Sequence, residues 1–176
     1  KYNRFQIKCV QKYFKYHKRI VMLIILMPAY NEEESLPPLM DKLKTTLNAL
    51  DEDYRIVVCN DGSNDKTQEM LEDYAKTFPL EIIEHSINRG LGESSRDLFE
   101  RAALISSNED IIIRFDCDDT HEPKYIPSIV EKVRDGNDVV IASRFEPGGS
   151  QYGVNTYRSF ISRSANIFMK IFFPIS

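Results

Sequence analysis

Val21-Met22-Leu23-Ile24-Ile25-Leu26-Met27, running into Pro28-Ala29-Tyr30-Asn31-Glu32, is the stretch from which the fold can be read. Seven consecutive apolar residues leave neither face of a strand for water, and the run is too short to cross a bilayer. A strand apolar on both sides belongs inside a parallel sheet with helices above and below it. The chain after it repeats that logic. Residues 34–50 read as an amphipathic helix, with Ser35 near its start and Pro37-Pro38 tolerable in its first turn. A second strand is expected at 55–59, a second helix at 65–77, a third strand at 80–85 and a third helix at 93–106. A fourth strand at 110–115, a helix at 123–134, a fifth strand at 138–142 and a last helix at 155–173 complete the pattern. Strands separated by helices imply an α/β fold with helices on both faces of one mostly parallel sheet.

Composition bounds the rest. The 176 residues suit one domain, 42% hydrophobic and 28% charged, which excludes disorder. The net charge of −4 conceals an uneven distribution. Residues 1–20 hold seven Lys or Arg and no acid, so the remaining residues carry 16 bases against 27 acids. That acidic body argues against nucleic acid as a partner. The basic lead places Tyr2, Phe5, Cys9, Tyr13, Tyr16 and Ile20 three and four residues apart. This spacing predicts an amphipathic helix, either for peripheral contact with an anionic membrane or for packing on its own domain. Cys9, Cys59 and Cys117 have no metal-ligand spacing and read as reduced thiols of a cytoplasmic protein. The apolar pattern is still running at Phe172-Phe173-Pro174-Ile175-Ser176, so the domain over 21–176 is expected to be cut short at its C-terminal end.

In an open α/β sheet, ligands bind beyond the carboxyl ends of the strands, and the chemically unusual residues fall there. Asp116-Cys117-Asp118-Asp119-Thr120-His121 crowds carboxylates just past a buried strand. Asp116 and Asp118, two apart, share a side of an extended backbone. They read as oxygen ligands for Mg2+ or Mn2+, or as a solvated acidic turn before the next helix. Asn60-Asp61-Gly62-Ser63-Asn64-Asp65 turns a strand into a helix. Gly62 permits the turn, Ser63 or Asp65 caps the helix, and Asp61 is left to accept hydrogen bonds from a base or ribose. Asn88-Arg89-Gly90-Leu91-Gly92 opens a helix that could face a diphosphate, although it lacks the three-glycine dinucleotide fingerprint. Arg144 follows a strand ending in small residues, and a guanidinium there clamps phosphate or makes a surface ion pair. His121 reads as a metal ligand, a proton carrier or a neutral group fixing its loop. Gly148-Gly149-Ser150 could close over a ligand.

Taken in order, Met27 to Glu33, Asn60 to Thr67, Asn88 to Gly92, Asp116-Cys117-Asp118 with His121, and Ser143-Arg144-Phe145 with Gly148-Gly149 resemble glycosyltransferase family 2. The likeness is greatest to its dolichol-phosphate (polyprenol-phosphate) mannosyltransferase branch. It implies a GT-A, Rossmann-like fold and inverting transfer of a sugar from a nucleotide-sugar donor, GDP-mannose or a UDP-sugar. The implied acceptor is a polyprenyl (dolichyl-type) phosphate, placing the protein at the cytoplasmic face of a membrane. A polysaccharide hydroxyl acceptor, or a nucleotide-sugar-binding module without turnover, remains an alternative. The resemblance further implies that Pro28, Ala29, Tyr30, Glu32, Asp61, Gly92, Asp116, Cys117 and Arg144 contact the nucleotide sugar. Asp116 and Asp118 would hold Mn2+ or Mg2+. Asp118, Asp119 and Arg144 would serve catalysis, with Asp119 the nominee for general base toward a hydroxyl. A phosphate acceptor is already anionic and needs cations instead, for which Arg144, Arg158 and Arg163 are candidates. Two departures stand out: Asn60 replaces a second acid common in the family, and Thr120 stands where its mannosyltransferases carry Gln.

Overall fold

The computed structural model describes residues 21–50, 52–118, 121–143 and the separate positions 161, 164, 165, 167, 168 and 172; of residues 6–11 it describes the backbone alone, and most of the helix expected over 155–173 lies outside the described residues. The chain forms two compact units, Ile7–Ala142 and a smaller one made of Lys1–Gln6 with Ser143–Ser176. The larger unit carries the parallel sheet and the cleft described below.

In chain order the elements are β1 (Gln6–Gln11), β2 (Leu23–Ala29), α1 (Leu36–Leu50), β3 (Tyr54–Asn60), α2 (Thr67–Ala75) and β4 (Leu80–Glu84). They continue with α3 (Leu91–Ile105), β5 (Ile111–Arg114), a 3-10 turn at Pro123–Tyr125, α4 (Ile126–Arg134) and β6 (Asn137–Ser143). Four strands make a parallel sheet in the order β4-β3-β2-β5. The central position of β2 explains its unbroken apolar run, since all seven of its residues are buried. Leu23, Ile25, Met27 and Ala29 face a core shared with Leu36, Leu39, Met40, Leu43 and Leu47 of α1, Leu71 of α2 and Val130 of α4. Ile24 and Leu26 face the opposite way, onto Val57, Cys59, Leu98 and Ala102, so α3 covers the second side. At roughly 25 cal/mol per Å2, burying side chains of this size contributes about 2 kcal/mol each before entropy is counted.

The element order agrees with the expected alternation, and two expectations are corrected. Gln6–Gln11 is a strand, not part of a helix. Ile7 and Cys9 alternate with Gln6 and Lys8, a period of two that the three-and-four spacing of the aromatics obscured. The fifth expected strand, seen as β6, does not extend the parallel sheet among the described residues. It pairs with β1 in a separate two-stranded sheet, and its Val139 and Ile141 are exposed. An apolar run shows that a strand forms and leaves its partner undetermined.

Pro28 shapes the site. Leu26 directs its carbonyl toward β5, where it accepts from Phe115 N–H at 2.8 Å. Two residues on, Pro28 faces the same neighbour and has no N–H to give. The ladder between β2 and β5 stops at Leu26 and Arg114, while the ladder to β3 continues to Ala29 and Asn60. The strands therefore part just where the strand order reverses direction, which opens a crevice at the switch point.

Candidate functional site

That crevice is a cleft of about 340 Å3 lined by Pro28, Ala29, Tyr30, Glu32, Asp61, Asn88, Gly90, Leu91, Ser94, Asp116, Cys117 and Asp118. Its volume falls in the range of small-ligand pockets. Four loops supply it, one from the carboxyl end of each sheet strand.

The first two loops are laced together. Asn31, in the left-handed region at φ 55°, donates its N–H to Ser63 Oγ at 3.0 Å and accepts from Asn64 N–H at 2.8 Å. Glu32 N–H reaches Thr67 Oγ1 at 2.8 Å, and Glu33 N–H reaches Asp65 Oδ2 at 3.1 Å. Asp65 Oδ1 accepts from Thr67 N–H at 3.0 Å just before α2, a turn bond; the N-cap position itself is held by Lys66, which makes no side-chain cap bond, so the expected cap by Ser63 or Asp65 is not formed. Asn60 is buried; its amide donates to Gln68 Oε1 at 2.7 Å while its carbonyl takes Ser63 N–H at 3.2 Å. A carboxylate there could accept but not donate, so the amide suits a position with one partner of each kind.

Asp61 is 4% exposed and sits under the third loop. Its Oδ1 accepts from His85 Nδ1 at 2.6 Å and from Arg89 N–H at 2.9 Å, and its Oδ2 accepts from Gly90 N–H at 2.8 Å. Burial alone would raise its pKa; the bonds from His85, Arg89 and Gly90 outweigh burial and hold it below the ordinary 3.8. On its other side His85 Nε2 lies 2.9 Å from Asp97 Oδ2 of α3. The His85 hydrogen bond is the main cause that lowers Asp97 below 3.8. Both carboxylates are therefore ionised near neutrality, one against each nitrogen of the buried ring. Gly62 lets the third loop come this close. At φ +70° it packs against the Ile87–Asn88 backbone, and a Cβ would stand 2.5 Å from the Ile87 carbonyl carbon.

The opposite end of the cleft is acidic. Asp116, Asp118 and Glu32 all line it. Burial chiefly raises the Glu32 carboxyl above 4.5, opposed by a hydrogen bond from Ser35, and the charges of Asp118, Asp65 and Asp116 raise it further. Asp116 is paired with the Arg114 guanidinium, and its N–H donates to His121 Nδ1 at 3.1 Å. His121 thus braces the loop, its ring edge-on to Phe115. Cys117 is buried between the two acids; burial pushes its thiol well above 9.0 and keeps it neutral. Among the described residues no three metal-capable side chains are drawn into one cage. Two carboxylates beside open cleft still fit Mg2+ or Mn2+, because these ions commonly take one or two protein carboxylates and fill their other positions with phosphate and water.

Of the expected contacts, Pro28, Ala29, Tyr30, Glu32, Asp61, Asp116, Cys117 and Asp118 meet in this cleft. Gly92 lies in the first turn of α3 and is not among the lining residues. Asp119, Thr120, Arg144, the Gly148-Gly149 pair, Arg158 and Arg163 fall outside the described residues. His85 and Asp97 were not singled out by the sequence. The only signal was a histidine at the carboxyl end of a strand. No described helix is long and apolar enough to cross a membrane.

Comparison with known proteins agrees on the fold. The sequence profile described as "Glycosyl transferase family 2" matches residues 24–174. The chain is 31% identical over 150 residues to a dolichol-phosphate mannosyltransferase of Pyrococcus furiosus, covering 85% of this chain and 41% of the relative. It is 32% identical over 123 residues to an undecaprenyl-phosphate 4-deoxy-4-formamido-L-arabinose transferase of Proteus mirabilis, covering 70% and 37% respectively. The chain thus spans about two-fifths of the length of these curated relatives. Among solved structures, residues 1–349 of S. aureus TarS in complex with UDP-GlcNAc superpose with a TM-score of 0.51 at 18% identity, over 65% of this chain and 32% of that one.

Proposed function

The chain belongs to glycosyl transferase family 2, and on that premise we propose that it moves a sugar from a nucleotide diphosphate donor to a polyprenyl phosphate. The observation that carries this reading is the polarity of the cleft: an ionised, loop-held Asp61 at one end and the Asp116–Asp118 pair at the other. A nucleotide sugar has matching ends, a base or ribose that donates hydrogen bonds and a diphosphate that needs positive charge. Asp61 takes the nucleoside, with Pro28, Ala29, Tyr30 and Glu32 forming the adjoining wall. Asp116 and Asp118 are the residues that would hold Mn2+ or Mg2+. When bound, that ion supplies positive charge to diphosphate oxygens, whose negative charge grows as the sugar departs. Asp116 pairs with the Arg114 guanidinium through Oδ1 alone, and a carboxylate so bonded keeps acceptor positions for an ion.

The reaction breaks the bond from the anomeric carbon to the donor's β-phosphate oxygen, whose electron pair leaves with the nucleoside diphosphate. An oxygen of the acceptor phosphate forms the new bond from the opposite face, inverting the centre. That oxygen is already anionic, so no strong general base is required; cations that offset phosphate repulsion are, and Arg144 is assigned there. Asp119 enters as a base only for a hydroxyl acceptor. The acceptor class is supported by two relatives from different organisms, both named for transfer to a polyprenyl phosphate.

Release of nucleoside diphosphate from GDP-mannose and from UDP-sugars, measured with Mn2+ and with or without a detergent-solubilised polyprenyl phosphate, tests this. Acceleration by the lipid phosphate is the expected outcome. Tight donor binding with no turnover under either condition would instead identify a binding module.

A further inference from the structure

Resting on the reading of the cleft as a nucleotide site, we propose that His85 and Asp97 set its base preference, by leaving Asp61 a single acceptor that suits the lone ring N–H of uracil and not the paired donors of guanine. A carboxylate oxygen has two acceptor positions. Oδ1 of Asp61 is filled from the protein side by His85 Nδ1 at 2.6 Å and Arg89 N–H at 2.9 Å. Oδ2 takes Gly90 N–H at 2.8 Å, so one position remains among the described residues. The edge of guanine presents a ring N–H beside an amino group, a fork that spans both oxygens of an open carboxylate. Against Asp61 as held here, one of those two donors is stranded in a desolvated pocket, which costs on the order of tenfold in affinity. Uracil offers one N–H between two carbonyl oxygens. Asn88 lines the same cleft, and its amide is a donor suited to one of them.

His85 makes this arrangement; Arg89 and Gly90 contribute only backbone. The ring is buried, and the charged groups that face it among the described residues hold it in place. Asp61 stands on one nitrogen, Asp97 on the other at 2.9 Å, and Arg89 reaches Asp97 at 3.4 Å. The Cys59 thiol lies 3.6 Å from Nε2. His85 and Asp97 are positioning residues, since they act on the base only through Asp61.

Calorimetry of the full chain with UDP and with GDP, each in Mn2+, tests the proposal. UDP is expected to bind on the order of tenfold more tightly. GDP binding as tightly as UDP, or more so, overturns the base preference. In His85→Ala, Oδ1 regains a position and the UDP-to-GDP ratio should fall toward one, whereas His85→Gln, which keeps an N–H for Oδ1, should restore it. A ratio unchanged in His85→Ala overturns the positioning role. Should His85→Ala not fold, Asp97→Ala removes the group at Nε2 and releases the ring from α3, and a ratio left at the wild-type value there has the same meaning. Binding of neither nucleotide by the wild-type chain refutes the nucleotide-site reading itself.

Discussion

Replacing Gly62 with Ala tests whether close approach of two loops builds the nucleoside end of the cleft. The added Cβ would stand 2.5 Å from the Ile87 carbonyl carbon, 2.6 Å from Asn88 N and 2.9 Å from Ile87 Cα, where ordinary contact begins at 3.4 Å. All three are backbone atoms, so no side chain can swing aside. The segment must retreat by nearly 1 Å or Gly62 must leave φ +70°. A left-handed conformation costs a residue with a Cβ about 1–2 kcal/mol, and overpacking of this kind about 1–3 kcal/mol. The combined loss of about 3 kcal/mol lowers the thermal midpoint by about 6–12 °C in a domain of this size. Retreat of residues 87–90 also withdraws the Arg89 and Gly90 N–H groups that hold Asp61, so UDP binding should weaken at least about tenfold. Gly136→Ala is the control. At φ +96° it meets nothing within 4 Å, so only the conformational cost of about 1–2 kcal/mol applies. Scanning calorimetry and nucleotide titration on the three proteins read both effects. A Gly62→Ala midpoint no lower than that of Gly136→Ala would refute the packing argument.

Asp118→Asn should abolish Mn2+-dependent nucleotide binding while the thermal midpoint of the apo chain moves little; unchanged binding in Mn2+ contradicts the assignment. Glu32→Gln should raise stability near pH 7, because burial and neighbouring acids raise the Glu32 carboxyl above 4.5 and disfavour its charge. The gain should vanish below that value, where wild-type Glu32 is protonated in both states, and urea midpoints at two pH values measure it. Asp97→Asn should act with the opposite sign. The stability from a carboxyl held below 3.8 is present above that value and lost as pH falls through its folded pKa, so the variant is weaker near neutrality and equal to wild type in strong acid. Arg144→Ala should slow transfer more than it lowers the thermal midpoint, and wild-type rates in that variant rule out its role at the phosphates.

The parallel sheet, its helices and the loops that hold the chemistry are legible in the sequence, because each rests on local patterns. An apolar run longer than one face needs predicts a doubly buried strand, and β2 is buried on both sides. Turn residues at strand ends mark loops, and loops at strand ends mark the binding edge. The convergence of Ala29, Asp61, Asp116 and Asp118 on one cleft follows from those rules together with the resemblance.

Pairings between distant segments are not legible there. Period-two alternation in Gln6–Gln11 is present but overridden by a stronger aromatic spacing, and nothing in 138–142 announces that β6 joins β1. His85 and Asp97 lie twelve positions apart on a strand end and a helix, and neither belongs to a recognisable motif. Their contact exists because α3 packs across the sheet on Cys59 and Val57, which brings the helix flank over the end of β4. Periodicity and turn chemistry act over a few residues and can be read along the chain. The state of a buried carboxylate depends on which donors the fold carries to it, so tertiary structure alone decided how Asp61 is held.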